Sequence, residues 1–517
     1  MKYRPQSTLA FGTLLITLLL FGIPEIMRAQ STHFTPVNLG LGGGGAAYMD
    51  SYHANFINPA NIAINNDTRP PFTLGLIGGL SFNAGGPLAN VGVYNKYFTK
   101  GYLLNDVGDQ AFNEWFGSSF TNSQTLGIDF SMVPLGLTYR RDDWAVSAAT
   151  RLRVLTDISM NRGFFEMFSF GINEEYFGEP KPLNMSINVL TLNEVSAGFS
   201  MKVWEGDLPV AGMEFPTKVY AGAAPKLLMG IQNLSVDLNS TMEVQGDTLL
   251  RHDFNYTIET VGSVSDQFRD FHQDRHINGQ DVTLGDYIEP EGADFYSVKS
   301  TGLGMDLGVN AEFGLNDVDA FDLGIFKGKK FARVAMSVTD IGKVSMDTDV
   351  GRFQNDDVFE WRGLEYDQEE INAEYDSTFS DYTDYVVSDS IANGIYLNYT
   401  PQDAGSIEKR LPTTFRFGTQ LQLGRFGFMM DFTRTFVDRG VYANTGATAL
   451  GLEYKFFGFW PIRVGLRTGG IASTSYSFGT GLEFKNFEFT FAGMYLNDSS
   501  DKGTYAATAF SGLVFHF

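Results

Sequence analysis

Gly40, Gly42 and Gly45, in "LGLGGGGAAYMDSYHANFINPANIA" (Leu39 to Ala63), meet the G-x-G-x-x-G spacing by which a backbone loop cradles a pyrophosphate. That chemistry needs a buried strand before the glycines, a helix after them and an acidic residue about 20 residues further on. His272, Asp274 and His276, in "FHQDRH", stand at i, i+2 and i+4, so two imidazoles would share one helix face as metal ligands. The general-base Glu of H-E-x-x-H is missing there, and an exposed polar loop is the simpler assignment. From Asp347 to Asp389 run 14 Asp and Glu against only Arg352 and Arg362. Ca²⁺ suits carboxylates, but the alternating ligands, central Gly and closing Glu of a calcium loop are absent. The run reads as solvated acidic surface. No Ser or Cys sits in a nucleophile setting. No catalytic residue, metal or cofactor is assigned, and the chain reads as a non-enzyme.

The glycines must be positioned by what surrounds them. Lys2 and Arg4 precede an apolar core, Leu9 to Ile23, and a small-residue cut site near Ala29. This is the pattern of an export signal over residues 1–29, with an apolar core short of the roughly 20 residues that span a bilayer. Too little chain then precedes the glycines for a Rossmann first strand, and the dinucleotide reading fails.

Composition narrows the class. The net charge is −23, and the absence of clustered Lys and Arg argues against nucleic acid as a partner. The absence of Cys removes disulfides, thiolate metal sites and a lipidated Cys. Glycine (57) and phenylalanine (46) interleave with polar residues, which suits a large sheet with many turns. An exported chain with no later apolar run of helix-spanning length is not a helical membrane protein. It can be a barrel.

The C-terminal third alternates. Phe426, Phe428, Met430 and Phe432 oppose Asp431 and Thr433; Leu450, Leu452, Tyr454 and Phe456 oppose Gly451, Glu453 and Lys455; Phe487, Phe489 and Phe491 oppose Glu488 and Thr490. Period 2 means strands with one apolar and one polar face. A β-sandwich would have shorter strands; runs of this length suit tilted membrane strands. Strands are expected at 72–82, 88–98, 125–140, 143–155, 191–204, 216–229, 232–245, 249–262, 301–314, 331–345, 411–424, 425–437, 446–457, 461–472, 475–485, 486–497 and 506–517. Single-chain barrels usually have even strand numbers. The expected fold is therefore all-β: a transmembrane antiparallel β-barrel of about 14–16 strands, spanning 71–517. Alternating short and long connections place 263–300 and 347–410 as long external loops at one end. Asp106–Phe116 and Arg162–Gly171 read as short helices in connections. The closing "SGLVFHF", with Phe515 and Phe517 in phase, looks like an outer-membrane assembly signal.

Residues 30–70 then need a place, and a barrel of this size has a lumen to fill. The glycine run Gly42, Gly43, Gly44 and Gly45, followed by "AAYMDSYHANFINPANIA", resembles the N-terminal plug of the long-chain fatty-acid transporter (FadL-like) superfamily. Asn58, Pro59 and Ala60 match that family's Asn-Pro-Ala motif; the family continues with Gly where this chain has Asn61. Porin-like outer-membrane proteins associated with type IX secretion share the signature. The resemblance implies a luminal plug at 30–70 and a bacterial outer-membrane location after signal removal. It also implies partners: outer-membrane lipid, the barrel assembly machinery, and either a hydrophobic or amphipathic solute or an envelope or secretion-system protein.

The inward phase carries charge: Arg140, Arg151, Arg153, Arg333, Arg416, Arg463 and Arg467, with Asp431, Glu453 and Glu483. Such charges must be hydrated or paired. They serve ion pairing between strands and plug, or a path for an amphipathic or anionic solute. Two functions remain open at this point: transport of hydrophobic or amphipathic small molecules past the plug, or a non-transporting scaffold that binds envelope components through its external loops.

Overall fold

The computed structural model describes residues 33–64, 69–101, 104–210, 213–246, 249–287, 297–316, 326–362, 385–402, 404–436, 446–469, 474–497 and 503–517. The expected export signal lies outside these residues, as do 288–296, 363–384 and 403 of the two long connections. In chain order the first described strands are β1 (Phe72–Gly86), β2 (Ser123–Arg140), β3 (Trp144–Asn161), β4 (Lys181–Pro182), β5 (Met185–Val210), β6 (Met213–Gln245) and β7 (Leu249–Val261). There follow β8 (Ser300–Gly314), β9 (Lys330–Met346), β10 (Val350–Trp361), β11 (Thr400–Gln402), β12 (Ile407–Arg410) and β13 (Thr414–Leu423). The last six are β14 (Phe426–Thr435), β15 (Gly446–Phe456), β16 (Trp460–Gly469), β17 (Thr474–Glu483), β18 (Phe487–Asn497) and β19 (Thr504–His516).

Fourteen of them close an antiparallel barrel in the order β1-β2-β3-β5-β6-β8-β9-β13-β14-β15-β16-β17-β18-β19 and back to β1. The seam is β1 against β19, from Thr73↔His516 to Gly86↔Thr504, and Phe72 and Phe517 exchange backbone hydrogen bonds at its end (3.2 and 2.9 Å). Outward-phase Phe428, Leu450, Leu452, Val464, Phe478 and Phe491 are exposed, while inward-phase Arg416, Asp431, Glu453, Arg463 and Arg467 are buried. A continuous exposed apolar belt of this kind is a lipid-facing surface. No helix among the described residues is long and apolar enough to cross a membrane.

Several sequence expectations change. Residues 88–98 are not a strand: Val91–Tyr97 is a helix whose Asn90 side chain accepts from Val93 N (3.0 Å), with Val93 and Tyr97 buried one turn apart. The segments 216–229 and 232–245 are one strand, β6, broken only by a register shift beside Ile231. Residues 249–262 form β7, which lies outside the closed ring because it pairs with the upper half of β6 and with β10. These three changes bring the expected strands down to the fourteen of the barrel. The 347–410 connection is not simply solvated loop. Its β10 pairs along its whole length with β7, burying Phe353 and Phe359, and Tyr385–Tyr396 is helical. The connections 263–299 and 347–413 leave the same end of the barrel, opposite the tight turns at 424–425, 457–459 and 484–486. Leu104–Phe116 and Arg162–Phe170 are helices at that upper end.

Candidate functional site

Residues 33–64 lie inside the barrel, and all of them except Val37 and Asp50 are buried. Pro36–Gly40 is a short helix closed by a reciprocal Thr35–Asn38 capping box. The glycines follow at its end, with φ of +91° at Gly42, +88° at Gly43 and +134° at Gly45. Gly44 has another reason to be glycine. A Cβ there would stand 2.2 Å from Asp431 Cγ on β14, and this close approach lets Gly45 N and Ala46 N donate to Asp431 Oδ1 at 3.0 and 2.9 Å. Arg467 Nη1 donates to Gly42 O (3.4 Å), and Ser477 Oγ accepts from Gly42 N (3.1 Å).

Asn58, Pro59 and Ala60 are seated on the opposite wall. Asn58 Nδ2 donates to Ala46 O (2.7 Å) and Val309 O (3.2 Å), while its Oδ1 accepts from Ala60 N (3.2 Å). Pro59 starts the 3-10 turn Pro59–Ala63, whose Ala60 O accepts from Ser200 Oγ (2.7 Å) and Ile62 O from Arg140 Nε (3.0 Å). Asn61, where the resembling family has Gly, donates to Ala46 O (2.9 Å) and accepts from Asn310 Nδ2 (2.7 Å). The segment's buried backbone is thus satisfied partly by its own turns, as in Asn58 N to Ala54 O (2.9 Å), and partly by wall side chains.

Between these anchors Tyr52 enters a break in the wall. Pairing slips around Leu76–Leu80 on β1, Met132–Gly136 on β2 and Glu488–Thr490 against β19, and Ile77 takes a φ of +51°. The ring of Tyr52 occupies the notch so formed. A Cβ on Gly75, Gly78 or Gly136 would come within 2.2–2.3 Å of it. Tyr52 OH donates to Gly78 O (3.2 Å), which also meets His53 Nε2 (3.0 Å) and accepts from Ser511 Oγ (2.7 Å). His33 Nε2 lies 3.2 Å from His53 Nδ1. Burial holds His53 down at about 4, despite its bond to Gly78 O, and puts His33 well below the usual imidazole range. Burial likewise raises the Tyr52 phenol.

Above the segment lies a buried ionic layer. Arg151 Nη2 donates to Glu194 Oε2 (2.7 Å) and Asp340 Oδ1 (3.1 Å), and Arg153 Nη1 to Glu194 Oε1 (2.9 Å) and Asp340 Oδ2 (3.3 Å). Lys226 Nζ pairs with Asp340 (2.6 Å) and Asp306 (2.7 Å). The Arg151 guanidinium covers the Phe56 ring of the segment at 4.2 Å. Over this layer Leu155, Leu190, Leu192, Leu228, Val344 and Met346 form an apolar one. Arg416 Nη1 donates to Thr339 Oγ1 (2.5 Å), and Arg333 pairs with Glu312 (2.5 Å) and Gln420 (3.0 Å). Arg463 joins Glu453 (2.7 Å) to Glu483 (2.5 Å). The inward charges read from the sequence therefore fall into separate groups. Asp431 and Arg467 hold the segment, Arg151 and Arg153 build the layer, and Arg333, Glu453 and Arg463 lie toward the lower mouth.

Sequence reasoning did not single out Tyr52, Glu194, Lys226, Asp306 or Asp340. Glu194 was within reach, since it shares the inward phase with Ser196 and Ser200; nothing in sequence pairs it with Asp340. The cavity beside the segment, about 250 Å³, has a mixed lining, with Arg69, Glu453, Arg463 and Glu483 beside Leu41, Met49 and Met429. Another of about 730 Å³ opens at the lower mouth among Arg69, Arg140, Arg141, Lys218, Lys329 and Arg333. An apolar one of about 390 Å³ lies at the upper end. Phe515 packs on Phe487 (5.6 Å between ring centres) and Phe517 on Phe72 (6.1 Å) at the lower rim. Asp274 accepts from Tyr287 OH (2.8 Å). Among the described residues no group of three or more His, Asp or Glu is placed to hold a metal.

The family described as "Family of unknown function (DUF5723)" matches residues 59–494. The chain belongs to this family. No curated protein matches it. Solved structures to which it is similar include the toluene transporter TodX of Pseudomonas putida, at 11% identity over 95% of this chain and 99% of that one, with a TM-score of 0.41. The toluene transporter TbuX of Ralstonia pickettii is 12% identical over 94% and 98%, with a TM-score of 0.39. A FadL homologue of Pseudomonas aeruginosa is 11% identical over 95% and 99%, with a TM-score of 0.39. The last is of the group that the Asn58-Pro59-Ala60 stretch resembles.

Proposed function

We propose that this family member is an outer-membrane barrel that passes hydrophobic or amphipathic small molecules, with segment 33–64 as its plug. The observation that carries the reading is Tyr52 in its glycine-lined notch. The straight route down the lumen is filled by plug, ionic layer and apolar layer. The wall break at β1, β2 and β19 is stopped by two side chains of the segment, Tyr52 and the His53 imidazole packed on it. A solute with an apolar body leaves sideways there into lipid and avoids the polar lower mouth. Phe515 and Phe517 serve barrel assembly in the same reading.

The test is Tyr52→Ala together with deletion of 36–63, in barrels whose heat-modifiable gel shift shows them folded. Tyr52→Ala should raise uptake of a hydrophobic dye such as Nile red, and the deletion should raise planar-bilayer conductance. Folded variants with unchanged uptake and conductance would overturn the proposal.

A scaffold role is favoured by one feature. Beyond Trp144↔Met201 and Thr217↔Phe313 the β5–β6 hairpin runs on without neighbours and exposes Val203, Trp204 and Leu208. Two-stranded ribbons are marginal in water, so this hairpin suits an envelope partner. Stoichiometric co-purification that is lost on trimming the hairpin is the distinguishing result.

A further inference from the structure

β5, β6 and β7 continue above the closed ring as a sheet with unlike faces. On β5, Ser200, Ser196 and Glu194 keep the lumen side, while Val195 and Phe199 stand exposed on the outer wall. Ile187 and Met185 carry that outer phase upward. Their partners are Val236 and Leu238, which in turn oppose Ile258 and Tyr256, and directly opposed residues share a face. Two hydrophobic clusters rest on this outer-phase face. One gathers Phe164, Leu183 and Met242 at helix Arg162–Phe170; the other gathers Phe254, Phe268, Phe353 and Tyr399. The apolar cavity of about 390 Å³ lies between them, within the roughly 300–1,000 Å³ typical of small-molecule sites.

Nearly every polar group around the cavity is satisfied. Ser240 Oγ donates to Leu183 O (2.8 Å), and Tyr256 OH donates to Tyr396 O (2.5 Å). His252 is the exception. It is 7% exposed, its Nδ1 meets Tyr396 OH at 2.8 Å, and its Nε2 has no hydrogen-bond partner among the described residues. A buried polar atom left in this way is unfavourable and calls for an explanation.

We propose that this cavity binds a single-chain amphiphile, its chain among Met167, Met242 and Phe254 and its one hydroxyl or carboxyl head on His252 Nε2. A neutral imidazole carries its proton on either nitrogen, and the Tyr396 hydroxyl rotates to match, so Nε2 can accept from a hydroxyl or donate to a carboxyl. The strand phase places the ligand outside the lumen, above the lipid-facing wall, so it enters from the membrane surface. The site stands whether or not the barrel transports.

The test uses the full chain in lipid nanodiscs and a decanol carrying a diazirine. Adducts should concentrate on peptides containing Met167, Met242 or Phe254. Decanol should displace the label about tenfold better than decane at equal membrane concentration, the worth of about 1.4 kcal/mol. His252→Phe should reduce that preference to about onefold, and Met242→Trp should abolish labelling of the cavity, both with the barrel's gel shift intact. Adducts spread evenly over the outer wall would overturn the proposal. A folded His252→Phe that keeps the preference for decanol would also overturn it.

Discussion

Asp431 and Gly45, 386 positions apart in the chain, are joined by a 3.0 Å hydrogen bond from the glycine N–H to the carboxylate, and Ala46 N shares the same oxygen. Hydrogen bonds to a charged group contribute about 1.5–3 kcal/mol each, and an orphaned buried donor costs a similar amount. Asp431→Ala should therefore loosen residues 42–46, seen as faster amide exchange there with the strands unchanged. Gly44→Ala should do the same by collision, since its Cβ would lie 2.2 Å from Asp431 Cγ. Asp431→Asn, which keeps an acceptor, should be milder than either.

Lys226 sits between Asp306 and Asp340 with all three side chains fully buried. Removing one partner of such a cluster leaves an uncompensated charge, at about 3–5 kcal/mol. Lys226→Met should lower the temperature at which the folded band is lost on gels. Adding Asp306→Asn should restore part of the loss. A double variant no more stable than the single one would show that the layer does not act as a unit.

The seating of the segment should depend on pH through His53. Its folded value of about 4 lies below the 6.5 of a free imidazole, so the seated state prefers it neutral. Above pH 6.5 nothing changes. As pH falls from 6.5 toward 4 the unseated state takes up the proton first, and seating weakens by up to about 3 kcal/mol. Asp50 opposes this weakly, while His33 and its neighbours Arg151, Arg153 and Arg416 add to the cost of a second positive charge. Protease cleavage within 33–64 should rise over that window; His53→Gln should lessen the rise, and His53→Gln with His33→Gln, which removes both buried imidazoles, should flatten it.

The chain has no cysteine, so single introduced thiols report topology without background. Asp281, with an 87% exposed side chain, stands in the upper connection, and exposed Lys485 stands in a lower turn. Asp281→Cys should react with an impermeant maleimide on whole cells, and Lys485→Cys only after permeabilisation. The opposite pattern would invert the barrel.

Period-2 alternation made most of the wall legible in sequence, because a lipid-facing and a lumen-facing residue must alternate on every strand. It failed where another period fitted equally well. Val91, Val93 and Tyr97 suit a strand on paper, but the Asn90 cap and the one-turn spacing of Val93 and Tyr97 make a helix. It also failed at Ile231, where one inserted residue changes the phase without ending the strand. β10 was hidden within an acidic run, since its pairing with β7 supplies the apolar contacts that composition alone did not suggest.

By itself, then, the sequence determined an antiparallel barrel, its seam-closing C-terminal strand, the end from which the long connections leave, and the glycine and Asn-Pro-Ala residues of the N-terminal segment. The first three follow from local rules, alternation and turn chemistry, and the last rests on the resemblance of that segment to the FadL-like plug. Only the tertiary structure decided what those residues meet. Asp431 finds Gly45, Lys226 finds Asp306 and Asp340, and Tyr52 finds three glycines on two strands, because ring closure brings distant strands around one lumen. Pairing across a closed ring depends on shear and register summed over all fourteen strands, which no window of sequence contains.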